Sequence, residues 1–225
     1  MSVHIPLLVS AEDVVKTVQE IGFLPFFKHE IEGYSLEEHC PPDLWFAQDQ
    51  DGPWEWKGPI IRTGTCVYGK FFGGRAGYIS LAWLADFANL RRDGYDFEGW
   101  YEDGHARRQD KLIYDCIDEG GAMLSKDVKR RCDFRKGGNK GFDSAITRLQ
   151  MQTFLTIADF VYLKDQHGNP YGWGVAVYDT PEHLHGESVL DCGSRTPAES
   201  RARILDHLRA LDPNVDEKAW SKFLK

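Results

Sequence analysis

Residues 125–152, SKDVKRRCDFRKGGNKGFDSAITRLQMQ, predict two helices separated by a glycine-rich loop. The first residue is a serine, a favourable N-cap, and Val128 and Cys132 lie four residues apart on one helical face. The loop DFRKGGNKG follows, and its three glycines permit backbone conformations with positive φ. A second helix is expected over Phe142–Met151, because apolar residues recur there at i, i+4 and i+7.

Positive charge is concentrated in the same stretch. The window 124–148 holds eight basic and three acidic residues, a net charge of +5, whereas the whole chain of 225 residues carries −8. The other 200 residues therefore carry −13. An acidic whole argues against sequence-independent coating of nucleic acid, but it does not exclude one basic face. The basic residues of the window are Lys126, Lys129, Arg130, Arg131, Arg135, Lys136, Lys140 and Arg148.

The flanking segments place these two helices in a larger pattern. A helix is predicted over residues 106–119, and a β-hairpin whose turn spans residues 165–170 follows the stretch. Three helices followed by a hairpin is the order of a winged helix-turn-helix. We therefore expect an α+β protein with a winged helix-turn-helix in its C-terminal half, packed with a smaller aromatic-rich α+β N-terminal part. The expected domains are residues 1–100, 101–180 and 181–225.

This pattern predicts contact with DNA. The third helix of a docked winged helix lies in the major groove, with the hairpin beside it. The positive charge falls on the second helix, the turn and the start of the third helix, where Lys and Arg would bind phosphates. Thr147, Arg148 and Gln150 are expected to point outward and to reach base edges. Two alternatives stay open, since charge on a helix is often only solvated and winged helices also dock proteins.

The N-terminal half is rich in aromatic residues. A helix capped by Ser10 stops at Gly22, and a later helix is expected to be capped by Ser80. Between them, residues 51–80 alternate and are rich in aromatic and β-branched residues, which predicts two or three strands. The aromatic side chains could line a pocket, although such clusters more often form a core. These candidates are Trp45, Trp54, Trp56, Tyr68, Phe71 and Phe72.

The C-terminal segment predicts a helix pair. Residues 196–199, TPAE, combine an N-cap, a proline at the first helical position and a capping-box glutamate. Leucine and isoleucine then recur at helical spacing, and a last short helix carries Trp220 and Phe223. The pair could close the core, or it could join two chains as a homodimer.

The segments IYDCIDEGGAMLSKDVKR and GGNKGFDSAITRLQMQTFLTIADF resemble the winged-helix pattern of the AlkZ/YcaQ-type DNA glycosylase superfamily. The resemblance covers residues 106–178, about a third of the chain, and a weaker one covers WEWKGPIIRTGTCVYGKFFGGRAGYIS upstream. It implies removal of a damaged, typically alkylated, base by a protein whose tandem winged helices form a concave DNA-binding surface. The N-terminal half could then contain a second, degenerate winged helix.

The resemblance also implies catalytic residues. Members of that superfamily hold the attacking water with a Gln-x-Gln or Gln-x-Asp pair, and this chain has Gln150-Met151-Gln152. The family's pair lies earlier in its chains, whereas this one lies at the end of the expected recognition helix. Two alternatives remain open: a non-enzymatic winged-helix DNA-binding regulator or protein-interaction module, and an enzyme unrelated to nucleic acid.

Other kinds of site have weaker signals. His183-Leu184-His185, flanked by Glu182 and Glu187, would put both histidines on one side of a strand, but no further ligand stands at a recognised spacing. We therefore predict neither a metal nor a cofactor. The five scattered cysteines suit reduced thiols in a cytoplasm, and no apolar run approaches the length of a membrane span.

Overall fold

A computed structural model describes residues 5–47, 49–164, 166–167 and 170–224. Its strands are β1 (Phe23–Pro25), β2 (Cys66–Phe72), β3 (Arg75–Ser80), β4 (Met123–Leu124), β5 (Thr156–Lys164) and β6 (Pro170–Asp179). Its helices are α1 (Ala11–Ile21), α2 (Leu36–His39), α3 (Pro53–Arg62), α4 (Leu81–Arg92), α5 (Phe97–Glu102), α6 (Arg108–Gly120), α7 (Ser125–Arg131), α8 (Phe142–Met151), α9 (Pro181–His185), α10 (Pro197–Leu211) and α11 (Glu217–Phe223). The expected α+β class is confirmed.

The six strands form one antiparallel sheet in the order β1-β3-β2-β5-β6-β4. The N-terminal half supplies the first three strands of this order and the C-terminal half supplies the other three. The halves meet where β2 pairs with β5, opposite Tyr68 and Ile157. The Thr156 hydroxyl strengthens this seam by donating a 2.8 Å hydrogen bond to the Tyr68 carbonyl.

The order of elements is repeated, although the sequence shows no repeat. Each half runs helix, strand, helix, helix, strand, strand: α1-β1-α2-α3-β2-β3 and then α6-β4-α7-α8-β5-β6. In each half the short first strand pairs with the last strand of the hairpin. The third helix of each half packs on the hairpin of the other half, α3 on β5 and α8 on β2. One face of α8 is therefore occupied inside the molecule.

Two hydrophobic cores lie on this frame. The larger one is built from the N-terminal half together with α10 and α11, which contribute Leu208, Trp220 and Phe223. The smaller one lies in the C-terminal half, where Ile113, Val128 and Ile146 bring α6, α7 and α8 together. The C-terminal helices thus pack with the N-terminal half, while the domain boundaries themselves remain a prediction.

Several predicted helix ends agree with the structure. Ser10 caps α1 by accepting a hydrogen bond from the Asp13 amide, and α8 spans Phe142–Met151 as expected. The capping box of α10 is present, because Thr196 accepts from the Glu199 amide and the Glu199 carboxylate accepts from the Thr196 amide. The β5–β6 hairpin is confirmed, with its turn residues Asp165, Gly168 and Asn169 outside the described residues.

Other predicted elements need correction. Residues 53–62 form helix α3 instead of the first of several strands, since Pro53 occupies its first turn and the Glu55 carboxylate accepts from the Gly52 amide at 3.0 Å. Gly52 is required by close packing, because a Cβ there would lie 1.9 Å from the Leu44 carbonyl oxygen. Ser125 is the first residue of α7 and not its cap, and Ser80 stands at the N-cap of α4 without a capping side-chain bond.

Candidate nucleic-acid interface and the Gln152 cavity

The basic window forms an exposed surface on α7 and on the loop between α7 and α8. Val128 and Cys132 are buried, so the residues between them turn toward solvent. Lys129 is half-buried, and six other cations of the predicted set are exposed. These six are Lys126, Arg130, Arg131, Arg135, Lys136 and Lys140.

Ion pairs divide these cations into two groups. The three acidic residues of the window pair with Lys129, Arg130 and Arg135, through Asp143 at 3.4 Å, Asp127 at 3.0 Å and Asp133 respectively. The other four cations have no ion-pair partner within the described residues. We call these four the basic face: Lys126, Arg131, Lys136 and Lys140. Their charge is therefore available to an external anion.

Backbone hydrogen bonds fix the loop that carries half of the basic face. The Asn139 amide donates to the Asp133 carbonyl at 2.8 Å, and the Asn139 side chain donates to the Cys132 carbonyl at 2.8 Å. Gly138 must be glycine because a Cβ would lie 2.2 Å from the Asp133 carbonyl oxygen. Gly141 has a φ of 85° and occupies the N-cap of α8. Lys136 and Lys140 thus stand on an ordered turn.

Gln150 does not point outward as predicted. It is fully buried against β2, where its Oε1 atom accepts the Lys70 amide at 3.0 Å and its Nε2 atom donates to the Ile146 carbonyl at 3.2 Å. The reason is the packing of α8 on the hairpin of the other half, which covers this side of the helix. Thr147 faces the same strand and accepts a 3.2 Å hydrogen bond from Lys70 Nζ.

Arg148 also has an internal partner. Its guanidinium donates to both carboxylate oxygens of Asp110, at 3.1 and 2.6 Å, and Asp110 is only 3% exposed. Asp110 additionally accepts the Arg107 amide at the start of α6. This bidentate pair joins α6 to α8 inside the C-terminal half. The three residues expected to read bases are therefore held by contacts within the protein.

Gln152 faces a different environment from Gln150. It follows the last residue of α8 and lines a cavity of about 60 Å³, together with Trp100, His105 and the Asp110–Arg148 pair. Its Oε1 atom is buried and has no hydrogen-bond partner among the described residues. A cavity of this size can hold water. Gln150 therefore faces β2, whereas Gln152 lines this cavity.

The aromatic candidates separate into a core and a groove. Trp56, Tyr68, Phe71 and Phe72 are buried in the larger core. Trp45 and Trp54 instead line an open groove of about 440 Å³, with Phe46 exposed at its rim. The six residues do not form one pocket.

The His183-Leu184-His185 segment lies on helix α9, so the strand that would have aligned its histidines is absent from these residues. His183 Nδ1 lies 2.8 Å from the Asp179 carboxylate, and this hydrogen bond raises the pKa of His183. Across the described part of the chain, no three His, Cys, Asp or Glu side chains are grouped to hold a metal. None of its helices is both long and apolar enough to cross a membrane.

Sequence signals account for part of this site. The charge contrast identified the basic surface, but nothing in the sequence marks Asp110 as the partner of Arg148, which is 38 residues away. Trp100 and His105, whose ring centroids lie 4.6 Å apart and which line the cavity with Gln152, were also missed because no recognisable motif marks them.

Comparison with known proteins gives one finding. The sequence model of the AlkZ-related family matches residues 8–225, nearly the whole chain. No curated protein and no solved structure is significantly similar to the chain.

Proposed function

Because the chain belongs to the AlkZ-related family, we propose that it is a DNA-repair protein that binds duplex DNA and releases damaged bases. The proposal has two steps, of which DNA binding is the first and catalysis is the second. Each step rests on a different part of the C-terminal half, so each can be tested separately.

The first step assigns a winged helix to each half. In the C-terminal half, α6, α7 and α8 are followed by the β5–β6 hairpin, with β4 on its outer edge. This is the element order of winged-helix DNA-binding modules. The repeated order in the N-terminal half supports a second winged helix that contains α1 to α3 and the β2–β3 hairpin.

The basic face carries the DNA-binding proposal. Four cations that have no ion pair in the described part of the chain lie on the second helix and the following turn of the C-terminal winged helix, where phosphates meet such modules. Thr147, Arg148 and Gln150 are engaged within the protein, so the contacts would be mainly to phosphates. We therefore expect steep salt dependence and weak preference for base sequence.

Gln152 is the proposed catalytic residue. Hydrolysis of an N-glycosidic bond forms a bond from water oxygen to the sugar C1′ atom, while the base leaves with the electron pair of the broken bond. The proton that the water loses passes to solvent or to the leaving base, since a glutamine amide is not a base. The Gln152 Oε1 atom, which has no hydrogen-bond partner among the described residues, would accept a hydrogen bond from that water and orient it. Gln150 would act indirectly, by fixing α8 to β2.

A base-release assay tests this step. Purified protein is incubated with duplex DNA that carries an alkylated purine, and released base is measured for wild type, Gln152→Ala and Cys192→Ser. We expect Gln152→Ala to lose release while it retains duplex binding, and Cys192→Ser to behave as wild type. Release at the wild-type rate by Gln152→Ala would contradict the catalytic assignment.

The size of the cavity favours a second candidate. A cavity of about 60 Å³ is small for a purine base. A non-enzymatic DNA-binding protein of the same family is therefore the alternative. Salt-sensitive binding without base release from any alkylated duplex would favour it.

A further inference from the structure

Three sulfur-bearing side chains lie where α6, β4 and the end of α7 come together. Cys116 Sγ lies 3.9 Å from Met123 Sδ. Cys116 and Cys132 line the same cleft, and the Cys132 thiol donates a 3.3 Å hydrogen bond to the Leu112 carbonyl. Cys116 thus stands between a second thiol and a thioether, and neither the DNA-binding surface nor the Gln152 cavity uses this cluster.

The cluster is accessible from solvent. Cys116 and Cys132 line an open cleft of about 410 Å³, whose rim carries Arg131, Asp115 and Glu119. Met123 is 6% exposed and lies against Cys116. A small ion could therefore reach the sulfurs without opening the core.

We propose that Cys116, Cys132 and Met123 form a binding site for a soft monovalent metal ion, with Cu(I) as its representative. Thiolate and thioether sulfurs are the ligands that Cu(I) prefers. An ion bonded to three sulfurs in a plane at about 2.3 Å would hold them about 4.0 Å apart, close to the observed Cys116–Met123 separation. Zn²⁺ fits less well because it requires a fourth nitrogen, sulfur or oxygen ligand, and the described residues group no third His, Cys, Asp or Glu here.

Protons and charge can be accounted for when the ion binds at this site. Cys132 is buried and Cys116 is half-buried, and both would bind the ion as thiolates. Binding of one Cu(I) ion by two thiols and one thioether releases two protons and leaves a complex of charge −1. Arg131, which lines the same cleft, would offset that charge.

A competition titration tests the site. Reduced protein is titrated into the coloured Cu(I)–bicinchoninate complex without oxygen, and the loss of colour gives stoichiometry and affinity. We expect one Cu(I) per wild-type chain and complete loss of this binding in Cys116→Ser and Cys132→Ala. Met123→Leu conserves side-chain volume, and we expect it to weaken affinity by more than about tenfold, a loss seen even for outer partners of metal ligands.

Cys192→Ser is the matched control, since Cys192 is a half-exposed thiol outside the cluster. It should bind as wild type, and circular dichroism should show all four variants folded. X-ray absorption spectra of the bound copper should show only sulfur atoms as its neighbours. Failure of the wild type to compete for Cu(I) would overturn the proposal. Wild-type affinity for Cu(I) in both single variants, Met123→Leu and Cys116→Ser, would also overturn it.

Discussion

At the scale of single residues, Gln150 and Gln152 show how one helix end separates two similar side chains. Gln150 lies in the last turn of α8 and is fixed by the Lys70 amide and the Ile146 carbonyl. Gln152 lies one residue past the helix and lines the cavity, and its buried Oε1 atom has no hydrogen-bond partner among the described residues. The sequence pattern Gln-x-Gln cannot distinguish them, because the distinction depends on which side of α8 the hairpin of the other half covers.

Gln150→Ala should destabilise the protein, whereas Gln152→Ala should leave stability nearly unchanged. The first substitution leaves the Lys70 amide buried without an acceptor, which costs about 1–3 kcal/mol. The second removes an oxygen that already has no partner among the described residues. Urea denaturation, monitored by tryptophan fluorescence, measures the free energy of unfolding of both variants. Equal losses of unfolding free energy would contradict the different roles given to the two glutamines.

Arg148→Ala should lower the stability of the folded protein and leave phosphate binding unchanged. It leaves the buried Asp110 carboxylate without its bidentate partner, for which we expect a loss of about 3 kcal/mol. Lys136→Ala is the matched comparison, because Lys136 is exposed and lacks an ion pair within the described residues. Denaturation curves and DNA titrations of both variants separate the effects. Arg148→Ala with wild-type stability and reduced salt dependence would show that Arg148 binds phosphate.

At the scale of elements, α10 illustrates how the C-terminal helices attach to the N-terminal half. Asp86 on α4 is buried and accepts hydrogen bonds from Arg195, Ser200 and Arg203. His207 stacks on Trp83 at 4.2 Å, with its Nε2 atom 2.9 Å from the Ile21 carbonyl. Helix α10 is therefore attached through both charge and ring contacts.

The buried side chain of His207 should make the folded protein less stable in mild acid. Burial lowers the pKa of His207 in the folded protein, so the unfolded chain binds its proton more readily. Stability contributed by the neutral ring is present above the unfolded pKa of about 6.5 and falls as pH drops through that value. His207→Gln keeps an N–H donor and cannot be protonated in this range, so its melting temperature should change less between pH 7.5 and 5.5, values set about one unit either side of that pKa. Parallel pH curves for the variant and wild type would contradict this reading.

Elements with local signals were predictable, and elements that depend on partners were not. The bounds of α8 follow from Gly141 and a clear apolar stripe, and the capping box fixed the start of α10. Helix α3 was mistaken for a strand, because its alternating Trp-Glu-Trp letters mimic a two-residue period. The basic surface was predictable from charge, but its division into paired and unpaired cations requires the folded positions of the acidic residues.

At the scale of the whole molecule, charge is asymmetric while topology is repeated. The two halves share their element order and meet at the β2–β5 seam. Only the C-terminal half carries the +5 window, and the remaining residues carry −13. A duplex would be repelled by the acidic remainder and attracted to the basic face, so we expect one binding orientation. Homodimerisation and a cytoplasmic location remain predictions.

The salt dependence of duplex binding tests the central claim most directly. The logarithm of the association constant is measured against the logarithm of salt concentration for wild type, for a variant with Lys126, Arg131, Lys136 and Lys140 all changed to Ala, and for Lys218→Ala as a remote control. Each phosphate contact contributes about 0.9 to the slope. We predict a steep dependence of binding on salt for the wild type. Lys218→Ala should keep this slope, and the variant with four substitutions should largely lose it. If the variant with four substitutions folds and keeps the wild-type slope and affinity, DNA binds elsewhere on the protein.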